Sequence, residues 1–198
     1  MSPLHIQRFS GAEIQPYIPE LARLRITVFR EFPYLYDGSL AYEEHYLQTY
    51  INSPQSMMAV AFDGSTIVGA TSALPLRDET PELQQPFVEH GYAIDSLFYF
   101  GESVLLPPYR GHGVGVRFFE ERESQARTWG YQTACFCAVE RPPDHPARPQ
   151  GYIPLDAFWS KRGYTKHPEL MTTMTWKEVG EEAESPKPMG FWLKSLTK

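Results

Sequence analysis

The stretch Val104-Leu105-Leu106-Pro107-Pro108-Tyr109-Arg110-Gly111-His112-Gly113-Val114-Gly115 runs an apolar segment into two prolines, then into glycines, then into a helical pattern. The apolar run reads as a buried strand, and the prolines stop it. Glycines at 111, 113 and 115 remove side chains that would block an anion from the backbone N–H groups. A helix starting at this point adds unpaired N–H groups and the positive end of its dipole. Strand, glycine turn and helix together form a cradle for a pyrophosphate. A dinucleotide fingerprint does not fit, because no acidic residue closes a βαβ unit near the chain start. A nucleoside-triphosphate loop would end in Gly-Lys-Ser/Thr, and Val114-Gly115-Val116 has no lysine. A purely structural tight turn is the remaining alternative.

Upstream of this stretch, residues 4–9 alternate and open a sheet, and helical spacing runs from Pro19 to Arg30. Phe32-Pro33-Tyr34-Leu35-Tyr36-Asp37-Gly38 is an aromatic loop, and a second helix carries Tyr42, Tyr46 and Tyr50. Residues 57–74 form a hairpin about Asp63-Gly64. Thr80-Pro81-Glu82 caps a short helix that stops before Gly91, and a strand covers Leu97 to Leu106. Downstream, a helix from Gly115 to Trp129 ends at Gly130, and residues 131–139 are a buried strand. Its Cys135 and Cys137 share one face, a spacing that suits structural burial better than a metal site. Five prolines make residues 140–154 an ordered loop or lid. A short helix fits Leu155 to Arg162, and strands fit Leu170 to Trp176 and Gly190 to Leu196, joined by the acidic connection from Glu178 to Pro188. The expectation is a single α/β domain over residues 1–198, a mixed sheet flanked by helices.

Arg110-x-x-Gly113-x-Gly115 resembles the Arg/Gln-x-x-Gly-x-Gly/Ala signature of GNAT acyltransferases, and Pro-x-Tyr-Arg-Gly before it is similar to that family's wording. Phe158-Trp159-Ser160-Lys161-Arg162-Gly163-Tyr164 resembles the family's late helix and strand start. The resemblance implies a V-splayed sheet with acetyl-CoA as co-substrate and no metal. It implies that backbone groups of Leu105 and Leu106 hold the thioester and pantetheine. Arg110, Gly111, His112, Gly113, Val114 and Gly115 would hold the pyrophosphate, with Phe158 and Lys161 near the pantetheine or thiol end. The activity implied is transfer of an acetyl group to a primary amine by direct attack on the thioester. The family's tyrosine acid is replaced here by Trp159, whose indole donates a hydrogen bond but no proton near neutral pH. Ser160, Tyr109, Tyr152 or water could stand in for it, or the thiolate could leave unassisted.

An amine attacks only in its neutral form, so a base assists. Glu102 lies inside the strand just before the implied thioester position, an odd place for a carboxylate unless it is paired or functional. It is read as base or water-positioner, with a solvated or salt-bridged structural role as the alternative; Tyr99 and Ser103 come next. The aromatic loop, with Tyr34 and Tyr36, and the proline-rich loop, with Arg141, His145 and Arg148, would flank the acceptor. Either arginine could bind an acidic part of it or pair with the chain's own carboxylates.

The formal net charge of −6 argues against nucleic acid as the main partner. No apolar run approaches the ~20 residues that span a bilayer. The start Met-Ser-Pro-Leu-His-Ile-Gln lacks the pattern of a signal peptide. The expected partner is a small-molecule or peptide amine, met in the cytoplasm, with no nucleic acid and no membrane, homodimerisation being left open. Two other readings stay in play: an acyl-CoA-binding sensor without efficient catalysis, and a protein N-acetyltransferase.

Overall fold

The computed structural model describes residues 4–197; Met1–Pro3 of the N-terminal stretch and Lys198 lie outside them. The chain runs β1 (His5–Phe9), α1 (Ile18–Phe29), α2 (Leu40–Asn52), β2 (Met57–Asp63), β3 (Thr66–Pro75) and α3 (Pro81–Glu89). It continues through β4 (Leu97–Leu105), α4 (Val114–Thr128), β5 (Thr133–Val139), α5 (Asp156–Ser160), β6 (Thr165–Trp176) and β7 (Ser185–Ser195). The strands form a seven-stranded sheet in the order β1-β2-β3-β4-β5-β7-β6. Every neighbouring pair is antiparallel except β4 and β5. The architecture is the expected mixed sheet flanked by helices.

Two cores follow from the alternation of side chains across the strands. Tyr99, Cys135 and Cys137 point to the face covered by α1, α2 and α3, with Leu21, Leu47, Tyr50 and Phe87. Phe98, Phe100, Ala134 and Phe136 point to the other face, where Phe119 of α4 and Phe158 and Trp159 of α5 cover them.

The two parallel strands pair over only Leu97–Thr133, Phe98–Ala134 and Tyr99–Cys135. Past Tyr99, β4 stays with β3 while β5 follows β7. The sheet therefore opens into a V whose arms are the second halves of β4 and β5.

The last two strands are longer than their sequence pattern indicates. β6 starts at Thr165 because Pro168 sits in a register shift between His167 and Met171, which hides the alternation before Leu170. β7 starts at Ser185 despite Pro186 and Pro188. Its neighbour β5 ends opposite Met189, so the proline end of β7 has a partner on one side only, where a missing donor is tolerated.

Candidate active site

The glycine stretch folds as a helix entry. Gly111 and Gly113 take φ of 80° and 82°, the left-handed region that glycine enters without cost. Gly113 is the N-cap of α4, and its carbonyl accepts from Val116 N and Arg117 N at 3.0 and 3.2 Å. The N–H groups of Gly111, His112, Gly113, Val114 and Gly115 have no acceptor among the described residues. A Cβ at Gly111 or Gly113 would meet nothing within 4 Å, so the loop stands clear of the body. At Gly115 it would come within 3.3 Å of Phe158 Cζ, which places α5 directly against the start of α4. His112 and Lys161 are exposed nearby on the same two segments. A row of free N–H groups at a helix N-terminus is the chemistry that a diphosphate requires.

Arg110 does not aim at that row. Its guanidinium pairs with Glu31 at 2.7 Å and 3.2 Å, and its Nε donates to Leu105 O at 2.9 Å. It ties the end of β4 to the C-terminal end of α1. Leu106 N donates to Val68 O, so the antiparallel alternation turns the N–H groups of Leu105 and Ser103 the other way, into the splay.

Higher on β4 the ladder carries a bulge. Thr71 pairs with Ser103 and Ala73 with Phe100, leaving Ser72 opposite both Gly101 and Glu102. The bulge carbonyl of Glu102 accepts from Thr71 Oγ1 at 2.7 Å and, from the far face, from Arg122 Nη1 at 3.5 Å. A Cβ at Gly101 would lie 1.9 Å from the Tyr50 hydroxyl, so only glycine fits under that ring. The side chain of Glu102 lies in a buried cluster built by α1 and α2. Its Oε2 is 2.6 Å from Arg25 Nη1 and accepts from Tyr50 OH at 3.4 Å. Its Oε1 has no partner among the described residues. Arg25 also binds Glu43 and lies 4.5 Å from the Tyr46 ring and 5.2 Å from the Phe29 ring. Burial alone would lower the Arg25 pKa, but Glu102 and Glu43 outweigh it and hold the guanidinium charged.

One carboxylate in this region carried no signal in the sequence. Glu79, between β3 and α3, is 6% exposed. Its Oε2 accepts a 3.3 Å bond from Thr80 N, and its Oε1 is buried without a partner among the described residues. Burial, with Glu102 and Asp78 adding to it, raises its pKa to about 7. The Thr80-Pro81 helix start masks it as an ordinary flanking residue; only the packing of α3 turns it inward.

The two loops expected to flank an acceptor meet beside the cluster. Tyr34 packs on Phe29 and Trp176 at 4.8 and 6.0 Å, and burial raises its pKa. Tyr36 bridges to Glu178 and closes over Gly38. Phe32 meets His145 and Tyr152 of the proline-rich loop at 5.5 and 4.7 Å. Arg141 donates to the carbonyls of Pro33 and Tyr34 and pairs with Glu178, so its charge is spent within the chain. Arg148 lies 5.1 Å over the Tyr152 ring and also donates to that residue's carbonyl.

Trp159 packs on Phe136 and Trp192 at 5.1 and 5.2 Å, an aromatic core contact. Of the substitutes for a tyrosine acid, Tyr109 donates to Asp63 at 2.9 Å, a bond that raises its pKa. Burial raises that of Tyr152. Ser160 is exposed. Tyr99 donates to or accepts from Cys137 Sγ at 3.2 Å inside the core, and Ser103 Oγ is bonded to Thr71 Oγ1 at 2.7 Å. No group of three or more metal-ligating side chains occurs among the described residues, and no helix among them is long and apolar enough to cross a membrane.

Solved structures with this fold cover nearly the whole chain at low identity. A ribosomal-protein-alanine N-acetyltransferase from Brucella melitensis superposes with a TM-score of 0.63 at 13% identity, over 96% of this chain and 99% of that one. The aminoglycoside 6'-acetyltransferase type Ii gives 0.58 at 17% identity, over 98% of both chains. The yncA protein of Salmonella typhimurium, whose structure contains its cofactor acetyl-CoA, gives 0.59 at 9% identity, over 98% and 95%. No curated protein matches the sequence. The sequence model of the acetyltransferase (GNAT) family matches residues 21–150, from α1 through the glycine cradle and the splayed strands to the proline-rich loop. With the cradle, the splay and that match in one continuous stretch, the chain belongs to the GNAT acetyltransferase family.

Proposed function

We propose that the protein moves an acetyl group from acetyl-CoA to a primary amine of a small molecule or peptide, with Glu102 as the group that takes or relays the amine proton. The observation that carries this reading is the position of Glu102 on the splayed arm of β4. One of its oxygens is gripped by Arg25 and Tyr50 and the other is free. The same strand leads directly into the anion cradle.

Acetyl-CoA supplies the thioester that the amine attacks. The free N–H groups from Gly111 to Gly115 would hold its diphosphate, and the inward N–H groups of Ser103 and Leu105 would hold its carbonyls along the splay. Phe158 and Lys161, beside the cradle, would border its pantetheine arm. Arg25 orients Glu102 through Oε2, so a proton released by the amine would have an acceptor at Oε1. With Trp159 packed in the aromatic core where a tyrosine acid would stand, the thiolate would leave unassisted, which the pKa of a thiol, near ~8.5, permits. Tyr34 and Tyr36 would wall the acceptor, as would the Tyr152 ring under Arg148.

Glu102→Gln keeps the size of the side chain and most of its hydrogen bonding. It is expected to lower kcat by roughly 10²–10⁴-fold, the range for a positioned base, with acetyl-CoA affinity unchanged. Thiol release with a primary-amine panel, alongside calorimetry of CoA binding, measures both. A variant with full kcat and the wild-type pH profile would remove Glu102 from the mechanism. The Trp159 packing also favours a second reading, an acyl-CoA-binding module without efficient catalysis. That reading gains if CoA binds and no amine, free or on a protein, is acetylated.

A further inference from the structure

The charge left over in the acceptor half of the molecule is negative. Three buried carboxylates, Glu43, Glu79 and Glu102, share the face under α1, α2 and α3 with one guanidinium, that of Arg25. Arg25 engages one oxygen of Glu43 and one of Glu102. Glu79 Oε1 is buried with no partner among the described residues, whereas Glu43 has the Tyr36 hydroxyl beside it; both residues are more than nine-tenths buried. The other cations nearby are taken: Arg141 and Lys187 by Glu178, Lys177 and Arg30 by Asp37, and Arg110 by Glu31. Arg122 lies across the sheet against the rings of Phe100 and Phe119, touching this cluster only at the Glu102 carbonyl.

Buried carboxylate oxygens without donors are costly, and a ligand cation offsets that cost. The walls suit one. The fields of Glu79 and Glu102 fall on the phenols of Tyr46 and Tyr50, and that of Glu79 also on Tyr99. Carboxylates among aromatic rings are a site for an alkyl ammonium ion. Because Glu79 and Glu102 keep only 6% and 7% of their surface open, a slim chain enters more readily than a bulky ring. Arg141, which would have met a carboxylate on the acceptor, is committed to Glu178, while Arg148 lies on the Tyr152 ring.

Resting on the transferase reading above, we propose that the acceptor is a slim aliphatic diamine without a carboxylate: one nitrogen reacts beside Glu102 while the second, as ammonium, is held by Glu79. The reacting nitrogen forms its bond to the acetyl carbon as the carbon–sulfur bond breaks. Its proton goes to Glu102, and the sulfur leaves with the electron pair as thiolate. The second nitrogen keeps its proton throughout.

The test is calorimetric titration of diaminobutane, diaminohexane, butylamine, hexylamine and aminobutyrate into the protein saturated with CoA, where nothing turns over. At least one diamine is expected to bind at least about tenfold more tightly than its monoamine, with aminobutyrate the weakest. Glu79→Gln should cut diamine affinity at least about tenfold and leave the monoamine unchanged. Equal affinities in the wild type, no binding of any amine, or an undiminished diamine affinity in folded Glu79→Gln would overturn the proposal.

Should the variant not fold, the wild-type comparison decides, together with its pH dependence. Glu79 is faced by Arg25 from α1, Tyr46 and Tyr50 from α2, Tyr99 and Glu102 from β4, Cys135 and Cys137 from β5, and Asp78 beside it. Burial holds those tyrosines and cysteines above their ordinary values, so they stay neutral near pH 7. Glu79, at about 7, gains its proton as pH falls through neutrality, while aliphatic diamines, with pKa near ~10, remain doubly charged. The diamine preference should therefore shrink on acidification; a constant preference counts against Glu79. If acetyl-CoA is consumed with monoamines and diamines alike, only this proposal fails. If no amine releases thiol, the transferase reading fails, and the CoA-saturated titration still judges the diamine.

Discussion

An unpaired buried carboxylate should weaken the fold it sits in, and Glu79 is where that cost is measurable. Its pKa moves from 4.5 to about 7 because burial disfavours the charged form and because Oε1 has no donor. Between those two values the native state binds a proton that the unfolded chain has already released. Stability then falls as pH rises across this interval, and levels off above about 7, where both states are ionised. The interval is worth about 3 kcal/mol, at about 1.4 kcal/mol per pH unit. Glu79→Gln keeps the volume and an oxygen for Thr80 N but carries no charge. It should be more stable than the wild type by up to about 3 kcal/mol at about pH 8, roughly 6–12 °C in Tm for a chain of this size, and no more stable at about pH 4.5. Urea unfolding of the two proteins, without ligand, across that pH range measures the difference directly. A gap that does not change with pH, or a variant less stable than wild type at the alkaline end, would refute the reasoning. A gain in stability joined to a loss of diamine affinity is what a binding residue held without its ligand should show.

Two further outcomes follow from the loops. Gly113→Asp places a carboxylate into the open space before the free N–H row; acetyl-CoA affinity should fall at least about tenfold, or 1.4 kcal/mol, in a folded protein, as read by calorimetry. Arg141→Ala removes the cation that ties Glu178 to the carbonyls of Pro33 and Tyr34. Lys187, 3.5 Å from Glu178, remains, so the cost should be about 3 kcal/mol of stability, measured by thermal unfolding, with acceptor KM little altered in the surviving enzyme.

Sequence alone determined most of the element order and the cradle. Local rules suffice there: paired prolines end β4, positive φ demands glycine at 111 and 113, and a helix must follow for the N–H groups to be free. The same locality explains why α1, α2, α3 and the hairpin are legible from spacing and caps. It also explains the short readings of β6 and β7, where prolines break the alternation but the neighbouring strands allow pairing to continue. What tertiary structure alone decided is which charges are left over. Arg110 has the signature position, yet its guanidinium is turned to Glu31, 79 residues away in sequence. Arg141 is free in the sequence and bound in the fold. Glu102 stands out as a lone carboxylate in a strand, but its grip by Arg25, and the orphaned oxygen of Glu79 in the same cluster, arise only when α1, α2 and the start of α3 close on one face of the sheet. Pairing of charge is a long-range property, set by which side chains burial forces together, and no spacing along the chain encodes it.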